Sequence, residues 1–185
     1  MDDRAGDADA QLMAAWRAGD DGAFEALYAR WRRPVWRWHA LRAGRERADE
    51  LHQETWLAVD RGRERYRERE RFAGWLFTIA RNTLVDAERR RAVRPDTDRG
   101  DVEPDSLAAQ PDPVAAVDGQ RQARALRTAV AALPAPQREV VLLRWEAGLT
   151  VPEIAAHTGA PLDTIKSRLR YALTRLREEF ADHGR

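Results

Sequence analysis

The sequence predicts an all-α protein of two small helical domains joined by a flexible linker, the C-terminal domain containing a helix-turn-helix. Its 185 residues suit one large domain or two small ones. Long stretches rich in Ala, Leu, Arg and Glu show no sustained strand-like alternation, which favours helices. Between them, residues 92–119 contain four prolines, two glycines and seven acidic residues without apolar periodicity, a composition typical of a linker.

Composition excludes several classes of protein. Charged residues make up 34% of the chain and hydrophobic ones 43%, and the mean hydropathy is −0.69, so we expect no membrane span. Acidic residues follow Met1 where a secretory signal would have an apolar run, and we expect a cytoplasmic protein. The chain has no cysteine, which excludes disulfides, thiolate metal sites and a cysteine nucleophile.

The net charge of +1 is distributed unevenly along the chain. Residues 24–91 carry 17 Arg against 11 acidic residues, and residues 122–185 carry 10 cationic against 7 acidic residues. The segments 1–23 and 92–121 are each acidic, with a net charge of −4. Two basic blocks indicate contacts with nucleic-acid phosphates, although a helix surface with many ion pairs explains either block equally well.

The first basic block contains four predicted helices, near residues 8–18, 21–41, 46–60 and 72–91. Pro34 should kink or interrupt the second of them, because proline removes a helical hydrogen bond. Large apolar residues are concentrated around it. They are Trp31, Val35, Trp36 and Trp38. Stacking on bases is one interpretation, but packing in the core is favoured, since aromatic residues supply much of the burial in a small domain.

The second block contains a helix-turn-helix signature. A buried helix is predicted between Pro136 and Gly148. Thr150 and Glu153 then form a capping box, in which each side chain accepts from the other residue's backbone N–H. Gly159 suits the left-handed position after this helix, and a third helix follows.

The third helix divides into an apolar and a basic face. The residues predicted to face inward are Leu162, Ile165, Leu169, Ala172, Leu173 and Leu176. Those predicted to face outward are Asp163, Lys166, Ser167, Arg170 and Thr174. Residues 164–177 include five cations and no acid, so the outer face suits a DNA groove, where short polar side chains could reach base edges.

The helix predicted over 46–60 has a stripe of acidic and amide side chains. Asp49 pairs with Gln53, and Glu50 with Glu54, at a spacing of four residues that places each pair on one face. The inward positions are Leu51, Thr55 and Val59. We call Asp49, Glu50, Gln53 and Glu54 the acidic stripe. It could dock on a basic helix of a partner, or be an ordinary solvated face. His52 has no second histidine at metal-ligand spacing.

An arginine at every second position marks residues 61–71, which surround Tyr66. Arginine together with tyrosine suits single-stranded nucleic acid, in which bases stack and phosphates need neutralising. A salt-bridged loop is the alternative. The next helix has the core pattern of Phe72, Trp75, Leu76, Ile79 and Ala80, and its other side carries Thr78, Arg81, Asn82 and Asp86.

From about Ala10 to Phe180 the chain resembles the extracytoplasmic-function sigma factors, the compact members of the sigma-70 superfamily of bacterial RNA polymerase. Asp49–Trp56 resembles the family's core-polymerase-binding helix, and Phe72–Arg91 resembles its helix for opening and reading the minus-ten element. Leu133–Leu176 resembles its minus-thirty-five-binding domain, in which Thr164–Leu169 is close to the recognition-helix pattern. Three such motifs in this order make the resemblance specific.

The resemblance implies an alternative sigma factor that binds core RNA polymerase and directs promoter-specific transcription initiation, without catalysis, cofactor or metal. It divides the chain into a region 2-like domain (1–91), an acidic Pro-rich linker (92–121) and a region 4-like domain (122–185). The implied partners are core RNA polymerase, promoter DNA and a separate anti-sigma protein, with no membrane.

The resemblance also implies three sets of contact residues. Those for core polymerase are Asp49, Glu50, Gln53, Glu54 and Trp56. Those for the minus-ten element are Tyr66, Arg67, Trp75, Thr78, Arg81, Asn82, Asp86 and Arg89. Those for the minus-thirty-five element are Thr164, Lys166, Ser167, Arg168, Arg170 and Tyr171. Because residues 61–71 are more charged than the family's specificity loop, the residue that captures a flipped base stays open.

Two other classes are disfavoured by the sequence. A response regulator shares the helix-turn-helix, but its receiver domain needs apolar strands that end in acidic residues, and the N-terminal half has none. A nucleic-acid enzyme needs a nucleophile or a metal cluster, whereas the four histidines are scattered and cysteine is absent.

Overall fold

The computed structural model describes residues 3–67, 71–93 and 117–183, and the regular structure in these ranges is entirely helical. The helices are α1 (Asp3–Arg17), α2 (Asp21–Ala43), α3 (Arg45–Gly62), α4 (Phe72–Val93), α5 (Val117–Ala132), α6 (Ala135–Trp145), α7 (Val151–Thr158) and α8 (Leu162–His183), with a 3-10 turn at Arg63–Arg65. The prediction of an all-α protein is confirmed. None of these helices combines the length and the apolar character needed to cross a bilayer.

The first helical unit, α1–α4, is organised around α2, which packs against the other three helices. Its core contains large, fully buried side chains, among them Met13, Leu27, Trp38, Leu51, Phe72 and Phe77. A buried polar contact ties α1 to α2, because the Asp9 carboxylate accepts hydrogen bonds from Arg30 and from Trp31 Nε1. A charged group at 3% exposure needs such partners, since an unpaired buried charge is costly.

Helix α2 continues through Pro34, so of the two outcomes predicted there, a kink or an interruption, the interruption is wrong. The helix starts cleanly at Asp20, whose Oδ1 accepts from the Gly22 N–H at 2.9 Å. It ends at Gly44, where φ is 84° and any residue with a Cβ would be strained. Because α2 is held by packing on three sides, the loss of one backbone hydrogen bond at Pro34 does not end it.

The aromatic residues of α2 serve mainly in packing, as predicted. Val35 and Trp38 are fully buried. Trp31 is half-buried, with its ring centre 6.2 Å from that of Phe77. Trp36 is also half-buried, and its Nε1 donates to Asp49. These contacts hold α2 against α3 and α4 and thereby set the relative positions of the candidate binding helices.

The second helical unit, α5–α8, contains the predicted helix-turn-helix. The capping box is present, because Thr150 N–H donates to Glu153 Oε2 at 2.7 Å and Glu153 N–H donates to Thr150 Oγ1 at 3.4 Å. Gly159 takes the left-handed conformation with φ of 69°, so α7 ends where the sequence predicts. Gly148, also at positive φ, follows α6.

The predicted linker, 92–121, overlaps two helices. Helix α4 continues to Val93, and α5 already begins at Val117. Residues 94–116 lie outside the described residues, so the prediction that this segment is a flexible linker stays a prediction. The two helices therefore take up residues 92–93 and 117–121 of the predicted linker.

Candidate functional site

The acidic stripe on α3 faces outward, and some of its members are already engaged within the chain. Glu50 and Gln53 are exposed. Asp49 is exposed too, but its Oδ1 accepts from Trp36 Nε1 at 2.7 Å. Glu54 is half-buried and accepts from Arg90 Nη2 at 2.7 and 3.0 Å. This contact with Glu54 raises the pKa of Arg90.

Leu57 completes the exposed face of α3 and was missed by the sequence analysis. Its side chain is 56% exposed. It follows Gln53 by four residues and Glu54 by three, so it lies within the acidic stripe. A large apolar residue on a polar helix face is the sequence signal that could have identified it. The face therefore offers an apolar contact surrounded by acidic groups.

Trp56, implied as a contact residue by the resemblance, faces the core instead. It is 6% exposed, its ring centre lies 4.9 Å from that of Tyr28, and its Nε1 donates to His52 Nε2 at 3.0 Å. The same hydrogen bond occupies His52 Nε2, and burial lowers the pKa of His52. Within the described ranges, no three His, Asp or Glu side chains come together as a metal site.

Tyr66 is likewise buried, so it does not offer its ring to a base in this structure. It is 3% exposed, and its ring centre lies 5.3 Å from that of Trp75 and 6.2 Å from that of Phe72. These ring contacts place Tyr66 beneath the start of α4. The sequence could not distinguish stacking on a base from packing in the core, because the exposure of Tyr66 depends on how α4 packs on the segment before it.

The Arg-rich segment before α4 is partly salt-bridged. Arg63 lies 3.5 Å from Asp60 and from Glu64, and its guanidinium lies 5.6 Å from the ring centre of Trp16. Arg67 is exposed, and residues 68–70 lie outside the described residues. The interpretation as a salt-bridged loop therefore applies to Arg63. Contact with single-stranded nucleic acid stays a prediction for exposed arginines such as Arg67.

One face of α4 collects most of the implied minus-ten residues. Six of the eight lie on α4, and at about 100° per residue five of these six, all except Arg81, fall within about 80° of helix surface. They are Trp75, Thr78, Asn82, Asp86 and Arg89. Trp75 is half-buried and the other four are exposed. Arg81 lies about 60° to one side of this face, where its Nε is 3.5 Å from Glu139 of the second helical unit.

The outer face of α8 is basic and exposed. Lys166 and Arg170 are exposed, with Lys166 Nζ 3.1 Å from Asp163 and the Arg170 guanidinium 5.1 Å from the ring centre of Tyr171. Ser167 is half-buried on the same face. Thr164 and Arg168 are also half-buried and lie at its flank.

The apolar face of α8 is narrower than predicted. Ile165, Ala172 and Leu176 are buried, as expected. Leu162 and Leu173, also predicted to face inward, are 45% and 38% exposed. They lie roughly 60–80° from the centre of the buried stripe, toward the exposed side of the helix.

The sequence analysis also missed a set of arginines that join the two helical units. Arg37 Nη2 lies 2.6 Å from Glu146, Arg42 Nη1 lies 3.5 Å from Glu139, and Arg71 Nη1 lies 3.3 Å from Glu153. No sequence pattern signals these contacts, because the partners are far apart along the chain.

Comparison with known proteins gives two family matches in the order of the two units. The family described as "Sigma-70 region 2" matches residues 27–94, and "Sigma-70, region 4" matches residues 129–178. The first match contains α3 and α4, and the second contains the helix-turn-helix.

Two relatives from Mycobacterium tuberculosis match along most of their length. The ECF RNA polymerase sigma factor SigC is 34% identical over 160 residues, which cover 83% of this chain and 81% of SigC. The ECF RNA polymerase sigma factor SigM is 32% identical over 169 residues, which cover 91% of this chain and 82% of SigM.

A solved structure shares the arrangement of helices. It is the sigma factor RpoE in complex with the anti-sigma factor NepR from Bartonella quintana. The match has a TM-score of 0.69 and 27% sequence identity, and it covers 85% of this chain and 95% of that chain.

Proposed function

Because this chain belongs to the extracytoplasmic-function (ECF) sigma factors of the sigma-70 family, we propose that three of its surfaces contact core RNA polymerase, the minus-ten element and the minus-thirty-five element. As a member of this family it is an alternative sigma factor that directs transcription initiation, and it is not an enzyme. The observation that carries the proposal is the presence of both family regions, in order, on helices whose outer faces are exposed.

The core-polymerase surface is the exposed face of α3. It consists of Asp49, Glu50, Gln53, Glu54 and Leu57. Such a face fits a basic partner helix that also offers an apolar side chain, since charge complementarity directs association and apolar burial adds affinity. Trp56 acts indirectly, because its packing against Tyr28 holds α3 in place.

The minus-ten surface is the outer side of α4 together with the exposed arginine before it. We call these residues the minus-ten face. They are Arg67, Trp75, Thr78, Arg81, Asn82, Asp86 and Arg89. Asn82 can hydrogen-bond a base, and the half-buried Trp75 can stack on one, which together suit the handling of an unpaired strand. Tyr66 supports Trp75 from below instead of meeting the base.

The minus-thirty-five surface is the outer face of α8. Lys166, Ser167 and Arg170 point away from the core and are placed to read base edges in a major groove. Thr164, Arg168 and Tyr171 lie beside them and are placed to contact the DNA backbone.

The same proposal sets the domain division and the partners. We assign residues 1–91 to the region 2-like domain, 92–121 to the linker and 122–185 to the region 4-like domain, although α4 and α5 each extend into the linker. A separate anti-sigma protein is a further partner, supported by the similarity to a sigma factor that was solved with one. Because core polymerase and promoter DNA are cytoplasmic, we propose that the chain acts in the cytoplasm.

A charge reversal on α3 tests the core-polymerase surface. Glu50→Lys should lower retention of the chain on immobilised core RNA polymerase about tenfold or more, because it puts a cation opposite a basic partner surface. Glu25→Lys, an identical change at an exposed position of α2, should retain normal binding. Undiminished retention of Glu50→Lys, with an unchanged circular dichroism spectrum, would show that another surface binds the polymerase.

The class of regulator is tested by DNA binding without polymerase. The isolated chain should bind promoter duplex weakly, and the complex with core polymerase should initiate at specific promoters in a run-off assay. Nanomolar, sequence-specific duplex binding by the isolated chain, unaffected by added core polymerase, would identify a repressor or activator instead.

A further inference from the structure

Gly62 is the last residue of α3, at a place where the backbone does not require glycine. Its φ of −90° and ψ of −7° lie in the right-handed helical region, which residues with a side chain also adopt. Alanine there would favour the helix, because glycine is the weaker helix former. The absence of a side chain at Gly62 therefore has another cause, which its surroundings supply.

The edge of the Trp75 indole lies against Gly62. A methyl group at Gly62 would lie 3.3 Å from Trp75 Cζ2 and 3.9 Å from Trp75 Cη2. The first distance is shorter than the roughly 3.5–4.0 Å at which carbon atoms pack favourably. The six-membered ring of the indole thus occupies the space that a side chain at residue 62 would need.

Two buried rings also contact the indole. The ring centre of Tyr66 lies 5.3 Å from that of Trp75 with an angle of 68° between the ring planes, and the ring centre of Phe72 lies 5.9 Å away. Tyr66 and Phe72 are 3% and 1% exposed, and close packing of the core keeps both in place. A side chain at Gly62 would therefore push the half-buried indole toward solvent.

The same indole belongs to the minus-ten face. Trp75 begins the row of side chains that continues along α4 with Thr78 and Asn82. Stacking on a base depends on close contact between two flat faces, so the orientation of the ring determines how well a base fits. The contacts of Trp75 with Gly62, Tyr66 and Phe72 fix this orientation before DNA arrives, which lowers the entropic cost of binding.

We infer that Gly62 is a positioning residue of the minus-ten face: because it has no side chain, the Trp75 indole can pack against the end of α3 in the orientation in which it stacks on an unpaired promoter base. This inference rests on the proposed function, because it takes Trp75 as the residue that stacks. Gly62 acts through Trp75 and does not itself contact DNA.

Adding one methyl group tests this role. The probe is a fluorescent single-stranded oligonucleotide that carries the minus-ten element of a promoter from which the holoenzyme initiates. Holoenzyme assembled with Gly62→Ala should bind it about fivefold more weakly, because the displaced indole stacks less well. Retention of this variant on immobilised core polymerase should stay normal, since the acidic stripe lies earlier in α3.

The matched control is Gly74→Ala, the same change inside α4. Its added methyl group would lie at an ordinary contact distance, 3.8 Å from Leu149 Cδ2. Oligonucleotide binding by the holoenzyme should therefore stay normal in Gly74→Ala.

A smaller ring at position 75 should remove the need for the glycine. Trp75→Phe lacks the ring edge that contacts Gly62 but keeps a flat face, so it should weaken oligonucleotide binding only about twofold. When Gly62→Ala is combined with Trp75→Phe, it should cause no further loss. This non-additivity is expected of two residues that act through their mutual contact.

Several results would overturn the inference. One is oligonucleotide binding by Gly62→Ala that matches the Gly74→Ala control, and another is an equal loss from Gly62→Ala with and without Trp75→Phe. A third is loss of core-polymerase retention by Gly62→Ala, which would give the glycine a role in folding instead. Undiminished oligonucleotide binding by Trp75→Ala would instead contradict the proposed function, because Trp75 would then not stack on DNA.

Discussion

Asn82 and Tyr66 belong to neighbouring parts of the same segment but have different surroundings. Asn82 is exposed on the minus-ten face, whereas Tyr66 is 3% exposed and packs under Trp75. Under the proposed function, a substitution at Asn82 removes a contact to DNA, whereas a substitution at Tyr66 removes part of the core. The two changes should reduce transcription for different reasons.

A promoter with a preformed mismatch bubble at the minus-ten element separates these reasons. It should restore much of the activity lost in Asn82→Ala, because the few kcal/mol needed for unpairing are already supplied. Tyr66→Ala should not be restored, and its free energy of unfolding should fall by about 3 kcal/mol, as for other buried aromatic residues. Run-off transcription and urea unfolding measure the two effects, and Tyr66→Phe is the control that keeps the ring. Equal restoration of Asn82→Ala and Tyr66→Ala would contradict this distinction.

Substitutions on α8 should likewise reduce promoter binding in distinguishable ways. Lys166→Ala or Arg170→Ala, if the side chain reads a guanine, should cost about 1–3 kcal/mol and relax preference at one upstream promoter position. Arg175→Ala should weaken binding evenly across sequences, as loss of a phosphate contact does. Holoenzyme binding to a promoter library measures both. A uniform loss in all three variants would mean that α8 only positions the protein.

Single residues differ in how far the sequence predicts their role. The exposure of Lys166 and Arg170 follows from helical periodicity alone, and it is confirmed. The burial of Trp56 and Tyr66 depends on rings contributed by other elements, which no local pattern encodes. Leu57 was missed for the opposite reason, because an apolar residue is expected to be buried and this one is exposed.

At the scale of elements, α2 and α3 are joined by a buried histidine that must stay neutral. Thr55 Oγ1 donates to Leu51 O at 2.7 Å, so it accepts from His39 Nε2–H at 2.9 Å. His39 Nδ1 is buried without a hydrogen-bond partner in the described residues. Burial, with smaller contributions from His52 and Arg42, lowers the pKa of His39 to about 3.

This helix pair should weaken at acidic pH. The unfolded chain binds a proton at His39 near its ordinary pKa of about 6.5, whereas the folded chain resists protonation until about 3. The stabilisation is therefore complete above about pH 6.5 and falls as the pH drops toward 3, by on the order of a few kcal/mol. Urea unfolding across this range should show the fall, and His39→Gln, which keeps a donor for Thr55, should flatten it. An equally steep fall in His39→Gln would assign it to other groups.

Helix ends were predictable where their cause is local. The capping box at Thr150 and the left-handed Gly159 depend on residues within one turn, and both are present. Pro34 is different, because packing of α2 on α1, α3 and α4 decides whether the helix survives a missing hydrogen bond. The start of α5 at Val117, inside the predicted linker, is a further boundary that composition alone did not give.

At the scale of the whole molecule, the arginines of the first basic block form contacts within the chain as well as an exposed basic surface. The arginine excess of residues 24–91 suggested contacts with nucleic acid, yet four of these arginines are paired with glutamates of the second unit. Arg37 and Glu146 are separated by 109 positions in the sequence. A single sequence contains no signal for pairs this distant, so composition predicted the charged surfaces without their internal partners.

The contact between the two helical units should also depend on pH, because His157 of the second unit lies beside Thr78 and Arg81 of the first. Burial lowers the pKa of His157 to about 4, with Arg81 and Arg42 adding to the effect and Glu139 opposing it. When the units separate, the pKa should return toward about 6.5, so the closed state is favoured above that value and loses stability as the pH falls toward 4. Between pH 7.5 and 5.5 the equilibrium should shift about tenfold toward the open state.

Scattering measurements at these two pH values should detect this change as an increase in the radius of gyration. His157→Gln retains an amide that can contact Thr78 but cannot titrate, so its radius should stay constant between the two values. A pH response that persists in His157→Gln would show that other groups control the opening.

Glu153 accepts from both Thr150 N–H and Thr150 Oγ1–H at 2.7 Å, and it also contacts Arg71 of the first helical unit. When Arg71 leaves, the carboxylate keeps both bonds within α7, so the first turn of the helix-turn-helix need not melt. Separation of the units can then be a rigid-body step, on the microsecond-to-millisecond timescale of domain motions rather than the slower one of local unfolding. Amide hydrogens in α7 should accordingly exchange at the same rate whether or not Arg71 contacts Glu153.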